Sequence, residues 1–235
     1  MLNEQKILGA LGTALPLTCL DVTDSTNLRL KEMCRSGDRQ VQLLCADSQT
    51  AGRGRLGRSF LSPENTGIYM SLLLPLPEDD LPLTVRAAAA VCRAVEEVTG
   101  QRLLIKWVND LFLDGKKVCG ILAEGVENMA VLGIGLNVRM PERGFPDVPV
   151  AGALNTHADR EKLIGELSQW LQLLQQAILC RNGIKTASPL ARQLSTQRGS
   201  AELLQAVRQL QKAIEYAQGN VSPAAICGYL VWNLR

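Results

Sequence analysis

The sequence is short of histidine, paired cysteines, net charge and long apolar runs. Its 235 residues contain one histidine, His157, which we interpret as incidental because it lies in a stretch without regular patterning. The formal net charge of +2 argues against non-specific binding of nucleic acid, which depends on broad neutralisation of phosphates. No apolar stretch is long enough to span a membrane, and the N-terminal residues match a signal peptide poorly.

The seven cysteines are scattered along the chain and include no C-x-x-C pair. Without such pairs or partner histidines, neither a zinc site nor a disulfide framework is indicated. The pattern is typical of reduced core thiols. We therefore predict a soluble, cytoplasmic protein, and its 46% of hydrophobic residues is enough for a sizeable core.

Glycine and arginine alternate in the segment DSQTAGRGRLGRSF, residues 47–60, which we call the arginine loop. It places three glycines between three arginines: Gly52, Gly54 and Gly57, and Arg53, Arg55 and Arg58. Glycine lets a ligand approach the backbone closely, and arginine donors suit carboxylate or phosphate. We expect a clamp for an anion that is mobile when empty and excludes water when it closes. A solvated surface loop is disfavoured, because three neighbouring arginines repel each other unless a negative group binds.

The same glycines also match G-x-G-x-x-G, the fingerprint of dinucleotide-binding domains. That fingerprint needs a preceding strand and a helix that opens inside it, because the helix N-terminus holds the pyrophosphate. Residues 41–47 predict the strand. However, SFLSPENTG follows with proline, asparagine and glycine and without a helical period, so a Rossmann domain is disfavoured.

The first half of the chain predicts alternating helices and strands. A short helix should end near Gly12, a strand should follow at residues 17–21, and a second helix should end near Gly37. Ser25, Thr26 and Asn27 lie at the start of that second helix, where they either cap it or bind a small polar ligand. A buried strand at 66–75 and an alanine-rich helix over 81–99 come next.

The second half predicts a sheet that contains misplaced polar residues. Strands are expected at 102–107, 117–124 and 130–138, with a hairpin turn at Asp114-Gly115. The polar residues among apolar neighbours are Lys106, Asn109, Asp110, Lys117, Glu124 and Asn137. Because buried charges need partners, at least some of these side chains should line a cavity.

Five segments in this order and spacing resemble the catalytic domain of the bacterial biotin protein ligases: DSTN, QTAGRGRLGRSF, KWVNDL, KVCGILAE and GIGLNV. The resemblance spans roughly residues 17–175. It implies an α+β fold, in which a mixed central sheet is flanked by helices as in class II synthetases. Two positions depart from the family pattern, since Val108 stands where proline is usual and Phe60 stands where tryptophan is usual.

The resemblance also implies an activity. Biotin and ATP would give biotinyl adenylate and pyrophosphate, and a lysine of the biotin carboxyl carrier protein of acetyl-CoA carboxylase would then take the acyl group. By resemblance, the residues that contact biotin or its adenylate are Ser25, Thr26, Asn27, Gln49, Gly52, Arg53, Gly54, Arg55, Lys117 and Gly120. Asn109, Asp110 and Asn137 would face ATP and its Mg²⁺, with no metal cage of protein ligands. The catalytic residues would be Arg55, Lys117 and Asp110.

The resemblance weakens towards the C-terminus. An amphipathic helix is predicted from Asp159 to about Arg181, which closes a catalytic domain of residues 1–180. Residues 185–235 predict further helices in place of the family's usual small β-barrel, and they resemble the collar of the clamp-loader delta-prime subunit. We expect no transcriptional regulation, because no DNA-binding region precedes the domain. Two other functions stay open: a lipoate or octanoyl transferase, and a non-catalytic module whose helical tail binds a partner.

Overall fold

The computed structural model describes residues 1–12, 15–76, 83–106, 109–146 and 148–181. The chain divides into two compact units, residues 1–172 and 173–235. The predicted helical tail at 185–235 lies outside the described residues, as do Trp107 and Val108 of the KWVNDL segment. Among the described residues, no helix combines the length and apolar character needed to cross a membrane.

Within the described ranges, seven strands form one mixed sheet in the order β1-β2-β3-β7-β6-β5-β4. The strands are β1 (Leu17–Thr23), β2 (Gln42–Gln49), β3 (Gly67–Pro75), β4 (Leu104–Lys106), β5 (Asp110–Leu113), β6 (Lys116–Val126) and β7 (Met129–Asn137). β1 and β2 run parallel, and every other neighbouring pair is antiparallel. The flanking helices are α1 (Glu4–Leu11), α2 (Thr26–Arg35), α3 (Leu83–Thr99) and α4 (Arg160–Arg181). The predicted α+β sheet-and-helix fold is confirmed.

The element ends follow local sequence signals. The Ser25 hydroxyl caps α2 by accepting a hydrogen bond from the backbone N–H of Leu28 at 3.4 Å. Asp159 caps α4 in the same way, with its carboxylate 2.9 Å from the N–H of Glu161. α3 ends before Gly100, which has a φ of +73° that glycine adopts without strain. These ends explain why simple sequence patterns located the helices.

One buried cluster fixes α2 on the sheet. Leu30 and Cys34 of α2 are fully buried and pack against Leu44 of β2, Leu73 of β3 and Val131 of β7. Such burial contributes roughly 1.5–3 kcal/mol for each large side chain. α2 is therefore packed on the central strands of the sheet, and its first turn carries the DSTN residues.

Candidate active site

A cavity of about 710 Å³ lies between the first turn of α2, the arginine loop and strands β5, β6 and β7. Of the residues predicted to form the site, those that line it are Ser25, Thr26, Asn27, Gln49, Arg53, Gly54, Arg55, Asn109, Asp110, Lys117 and Gly120. These residues are up to 95 positions apart in the sequence, as Ser25 and Gly120 are. The fold therefore brings four of the five sequence segments to one place, and the fifth, GIGLNV, contributes Gly133 and Gly135.

Glycines form a floor without side chains in this cavity. A Cβ atom on Gly133 would lie 2.1 Å from the Asn27 amide oxygen, and one on Gly135 would lie 2.6 Å from the Phe60 ring. A Cβ atom on Gly120 would be 3.3 Å from the same ring. The three glycines thus let an amide and an aromatic ring lie directly on the backbone of β6 and β7.

A β-bulge places Lys117 on the cavity side of the sheet. Leu111 of β5 pairs with Cys119, but the next residue, Phe112, pairs with Lys117, so Val118 is left without a partner. Alternation along a strand would otherwise put Lys117 and Gly120 on opposite faces. The extra residue shifts the phase by one, which is a common way for a strand to redirect a side chain near a functional site.

The polar end of the cavity contains the Ser25–Asn27 turn and Gln49. The Gln49 side-chain oxygen accepts a hydrogen bond from the Thr26 backbone N–H at 2.8 Å. Its amide nitrogen donates to the Ser62 hydroxyl at 2.8 Å, and Ser62 donates in turn to the Phe60 carbonyl at 3.1 Å. Because the carbonyl only accepts, this sequence of bonds fixes the orientation of the Gln49 amide.

Glu124 fixes the orientation of the Asn27 side-chain amide by a hydrogen bond. The Asn27 amide nitrogen donates to one carboxylate oxygen at 2.9 Å, and the Lys31 ammonium donates to the other at 3.0 Å. Partial burial by itself would raise the pKa of Glu124, but the hydrogen bonds from Asn27 and Lys31 and the positive charges of Lys31 and Arg53 outweigh it and lower the pKa. Glu124 is therefore ionised at neutral pH and acts only as an acceptor.

The other end of the cavity is cationic. Arg53, Arg55, Arg58, Lys106 and Lys117 line the cavity, and Asp110 is the one carboxylate that the described residues contribute to the lining. Arg53 lies nearer the polar end, with its guanidinium 3.9 Å from the Glu124 carboxylate. A site of this charge attracts anions such as carboxylates and phosphates.

Two contacts tie the cationic residues to β5. The Lys117 ammonium forms an ion pair with Asp110 at 2.7 Å, and both side chains are about one-quarter exposed. Arg55 donates to the Asn109 side-chain oxygen at 3.0 Å, which joins the arginine loop to the KWVNDL segment. The predicted catalytic residues Arg55, Lys117 and Asp110 are therefore close together.

Backbone hydrogen bonds close the arginine loop on itself. The Gly54 N–H donates to the Arg58 carbonyl at 2.7 Å, and the Phe60 N–H donates to the Gly52 carbonyl at 2.9 Å. A Cβ atom on Gly52 would lie 2.2 Å from the Phe60 carbonyl oxygen. Gly52 therefore allows the two ends of the loop to approach closely, and it is not among the residues that line the cavity.

Asn137 also lies away from the cavity lining. Its side chain is buried and donates to the Gly152 carbonyl at 2.9 Å, so it anchors the loop after β7.

Ser71 of β3 is a residue that the sequence did not identify as part of the site, although Ser71 contacts the two site residues Thr26 and Asn27. The signal was present, since Ser71 is the one hydroxyl inside the apolar run of β3 after Tyr69.

A family model described as the biotin/lipoate A/B protein ligase family matches residues 19–140. The chain belongs to this family. The matched range contains the arginine loop, the bulged hairpin and every cavity residue discussed above.

Two relatives of this ligase-family chain have sequences similar to it. It is 36% identical over 170 residues to the bifunctional ligase/repressor BirA of Bacillus subtilis, a match that covers 68% of this chain and 50% of that protein. It is 34% identical over 181 residues to the biotin--[acetyl-CoA-carboxylase] ligase of Mycobacterium tuberculosis, which covers 72% and 67%. The chain spans about half the length of the bifunctional relatives that it matches.

A solved structure supports the same family placement. The biotin protein ligase from Aquifex aeolicus in complex with biotin and ATP is 35% identical and superposes with a TM-score of 0.57, covering 68% of this chain and 72% of that one. In the present ligase-family chain, the Phe60 ring, at the position where the resemblance predicts tryptophan, meets the Tyr69 ring edge to face with ring centroids 6.4 Å apart. An aromatic wall is therefore retained at this position.

Proposed function

We propose that this protein is an ATP-dependent biotin protein ligase that modifies the biotin carboxyl carrier protein of acetyl-CoA carboxylase. The observation that carries the proposal is that one cavity is lined both by neutral polar side chains, Thr26, Asn27 and Gln49, and by cationic ones, among them Arg55 and Lys117. Biotin has a neutral ureido ring at one end and a carboxylate at the other. The names of the M. tuberculosis and A. aeolicus relatives support the same assignment.

The polar end suits the ureido ring. Thr26, Asn27 and Gln49 offer short polar groups whose orientations are fixed by bonds to the protein, so little ordering is needed when a ligand binds. The Phe60 ring and the glycine floor supply apolar surface for the sulfur ring and the valeryl chain. Lipoate has a dithiolane ring without N–H or carbonyl groups, so it would leave these polar groups unpaired.

The cationic end suits the first chemical step. The carboxylate of biotin is ionised at neutral pH and attacks the α-phosphorus of ATP, whose bond to the pyrophosphate oxygen breaks. No general base is required, because the nucleophile carries no proton. The obstacle is repulsion between two anions, and Arg53, Arg55 and Lys117 reduce it by neutralising charge where the reactants meet.

In the second step, a neutral lysine amine of the carrier attacks the acyl carbon, the bond to AMP breaks and an amide forms. The amine loses one proton, and we propose that Asp110, which lines the cavity, accepts or steers it. Closure of the arginine loop over the adenylate would exclude water and protect the mixed anhydride from hydrolysis.

ATP is used with Mg²⁺ in reactions of this kind, and the residues of the cavity are compatible with it. Within the described ranges, no group of three or more histidine, cysteine, aspartate and glutamate side chains is arranged to hold a metal ion. Mg²⁺ is commonly held by one or two carboxylates together with substrate phosphates and water. Asp110 can supply such a carboxylate, and the bound ion would neutralise phosphate charge.

The direct test is incubation of the protein with ATP, biotin and a biotin carboxyl carrier domain. We expect biotin on the acceptor lysine, AMP and pyrophosphate as products, and no reaction without ATP. Transfer of lipoate but not biotin would favour the lipoate ligases of the same family. No transfer of either, together with no adenylate in a radiolabelled ATP assay, would contradict an enzymatic function.

A further inference from the structure

A chain of hydrogen bonds runs from Glu124 to the Thr26 hydroxyl. The Ser71 hydroxyl oxygen lies 2.7 Å from the Asn27 side-chain oxygen and also 2.7 Å from the Thr26 hydroxyl oxygen. Ser71 is fully buried, and Thr26 and Asn27 are nearly so. The Ser71, Thr26 and Asn27 part of the chain is therefore shielded from water except where Thr26 and Asn27 line the cavity, whereas the Glu124 side chain is 18% exposed.

Counting protons gives this chain a direction. Ionised Glu124 only accepts, so Asn27 must turn its NH₂ group towards Glu124 and its oxygen towards Ser71. The amide oxygen only accepts, so Ser71 must donate its single proton to it. Ser71 then has no proton left for Thr26, and the short contact between their oxygens requires Thr26 to donate to Ser71.

The second neighbour of Thr26 is consistent with this direction. The Gln49 side-chain oxygen lies farther from the Thr26 hydroxyl, at 3.2 Å, and already accepts from the Thr26 backbone N–H. The Thr26 hydroxyl proton is thus directed towards Ser71, into the protein interior. Thr26 therefore lines the cavity without a hydroxyl proton to donate into it.

We infer that Glu124 and Ser71 are positioning residues that fix the Thr26 hydroxyl as a hydrogen-bond acceptor and so select a ligand whose head group carries an N–H donor. This inference rests on the proposed function and identifies what discriminates the ligand at the polar end. A ureido ring satisfies the requirement. A ring with oxygen at the same positions would place acceptor against acceptor.

The test compares biotin with its cyclic carbonate analogue, in which oxygen replaces both ring N–H groups. Isothermal titration calorimetry gives both dissociation constants for the wild-type protein and for Ser71→Ala, which leaves the Glu124–Lys31 pair intact. The wild type should prefer biotin by about tenfold or more, because the analogue lacks both N–H donors, including the one that would bond to Thr26. Ser71→Ala should reduce the preference by about tenfold, because Thr26 then keeps only the longer 3.2 Å contact with the Gln49 oxygen and can turn its proton into the cavity.

Variants of Glu124 give an independent readout. Glu124→Met removes the acceptor behind Asn27 and should reduce the preference as Ser71→Ala does, whereas Glu124→Gln keeps an acceptor oxygen and should largely restore it. Glu127→Gln is the matched control, because it breaks the nearby Arg39–Glu127 ion pair away from the cavity. Thermal melting checks folding, and Ser71→Ala decides alone if Glu124→Met does not fold.

Three results would overturn the inference. One is equal weakening of both ligands by Ser71→Ala, which indicates a purely structural role. Another is equal affinity of the wild type for both ligands. The third is a wild type that binds neither ligand, which would contradict the proposed function as well. If the wild type binds biotin but the variants show an unchanged preference, only the inference is contradicted.

Discussion

Replacing Lys117 with alanine is the sharpest test of how the cavity handles charge. The ammonium lies 2.7 Å from Asp110 in a partly exposed position. Unit charges about 4 Å apart interact by roughly 4 kcal/mol at the effective dielectric constant of about 20 that suits such sites. Lys117→Ala therefore has two effects: it removes a positive charge from the reactants and it leaves the Asp110 carboxylate free to repel them.

Loss of one preorganised electrostatic partner typically lowers a rate by about 10²- to 10³-fold. We expect a fall of this size in single-turnover formation of biotinyl adenylate, measured with radiolabelled ATP and excess enzyme. Lys116→Ala is the matched control, because the neighbouring lysine is exposed, carries the same charge and bonds to the Pro149 carbonyl outside the cavity lining. Its rate should stay within about twofold of wild type, as is usual for surface changes.

The double variant Lys117→Ala with Asp110→Asn separates the two effects. If repulsion by the freed carboxylate causes much of the loss, removing that charge should recover part of the adenylation rate. If contact between Lys117 and the reactants causes it, the rate should stay low. Adenylate formation by Lys117→Ala at the rate of Lys116→Ala would refute the assignment of this charge to the first step.

Three further predictions concern the arginine loop and Glu124. Arg55→Ala removes a bond that holds the loop closed, so the protein should release adenylate into solution, measurable by filtration after a single turnover; normal retention would count against the clamp. Gly52→Ala places a methyl group against the Phe60 carbonyl and should cost about 1–3 kcal/mol of stability in denaturant unfolding, whereas Gly125→Ala, with open space around it, should have a smaller effect. The lowered pKa of Glu124 means that its stabilising contribution is complete above its unfolded pKa of about 4.3 and is lost as pH falls through the lower folded value. The difference in melting temperature between wild type and Glu124→Gln should therefore be largest near neutral pH and shrink below about pH 4, and a difference that grows on acidification would contradict this sign.

The sequence by itself determined the elements and much of the site, because both depend on local signals. A capping serine, a glycine after a helix and the Asp114-Gly115 turn each set backbone geometry within a few residues. The alternation of glycine and arginine likewise identified the loop without any knowledge of the fold. Lys117 and Asp110 were recognisable as charges that an apolar sheet needs to pair or expose.

Tertiary structure decided which of these residues face each other. The bulge at Val118 places Lys117 beside Asp110, and a shift of one residue in strand pairing is not encoded by side-chain pattern alone. Ser71 looked like one polar residue in a buried strand until the packing of α2 placed it between Thr26 and Asn27. Asn137 was selected for its polarity, and the fold pairs its side-chain amide with the Gly152 carbonyl; that it faces ATP stays a prediction. Contacts between residues far apart in the sequence depend on strand register and helix packing, and those are fixed only when the whole core assembles.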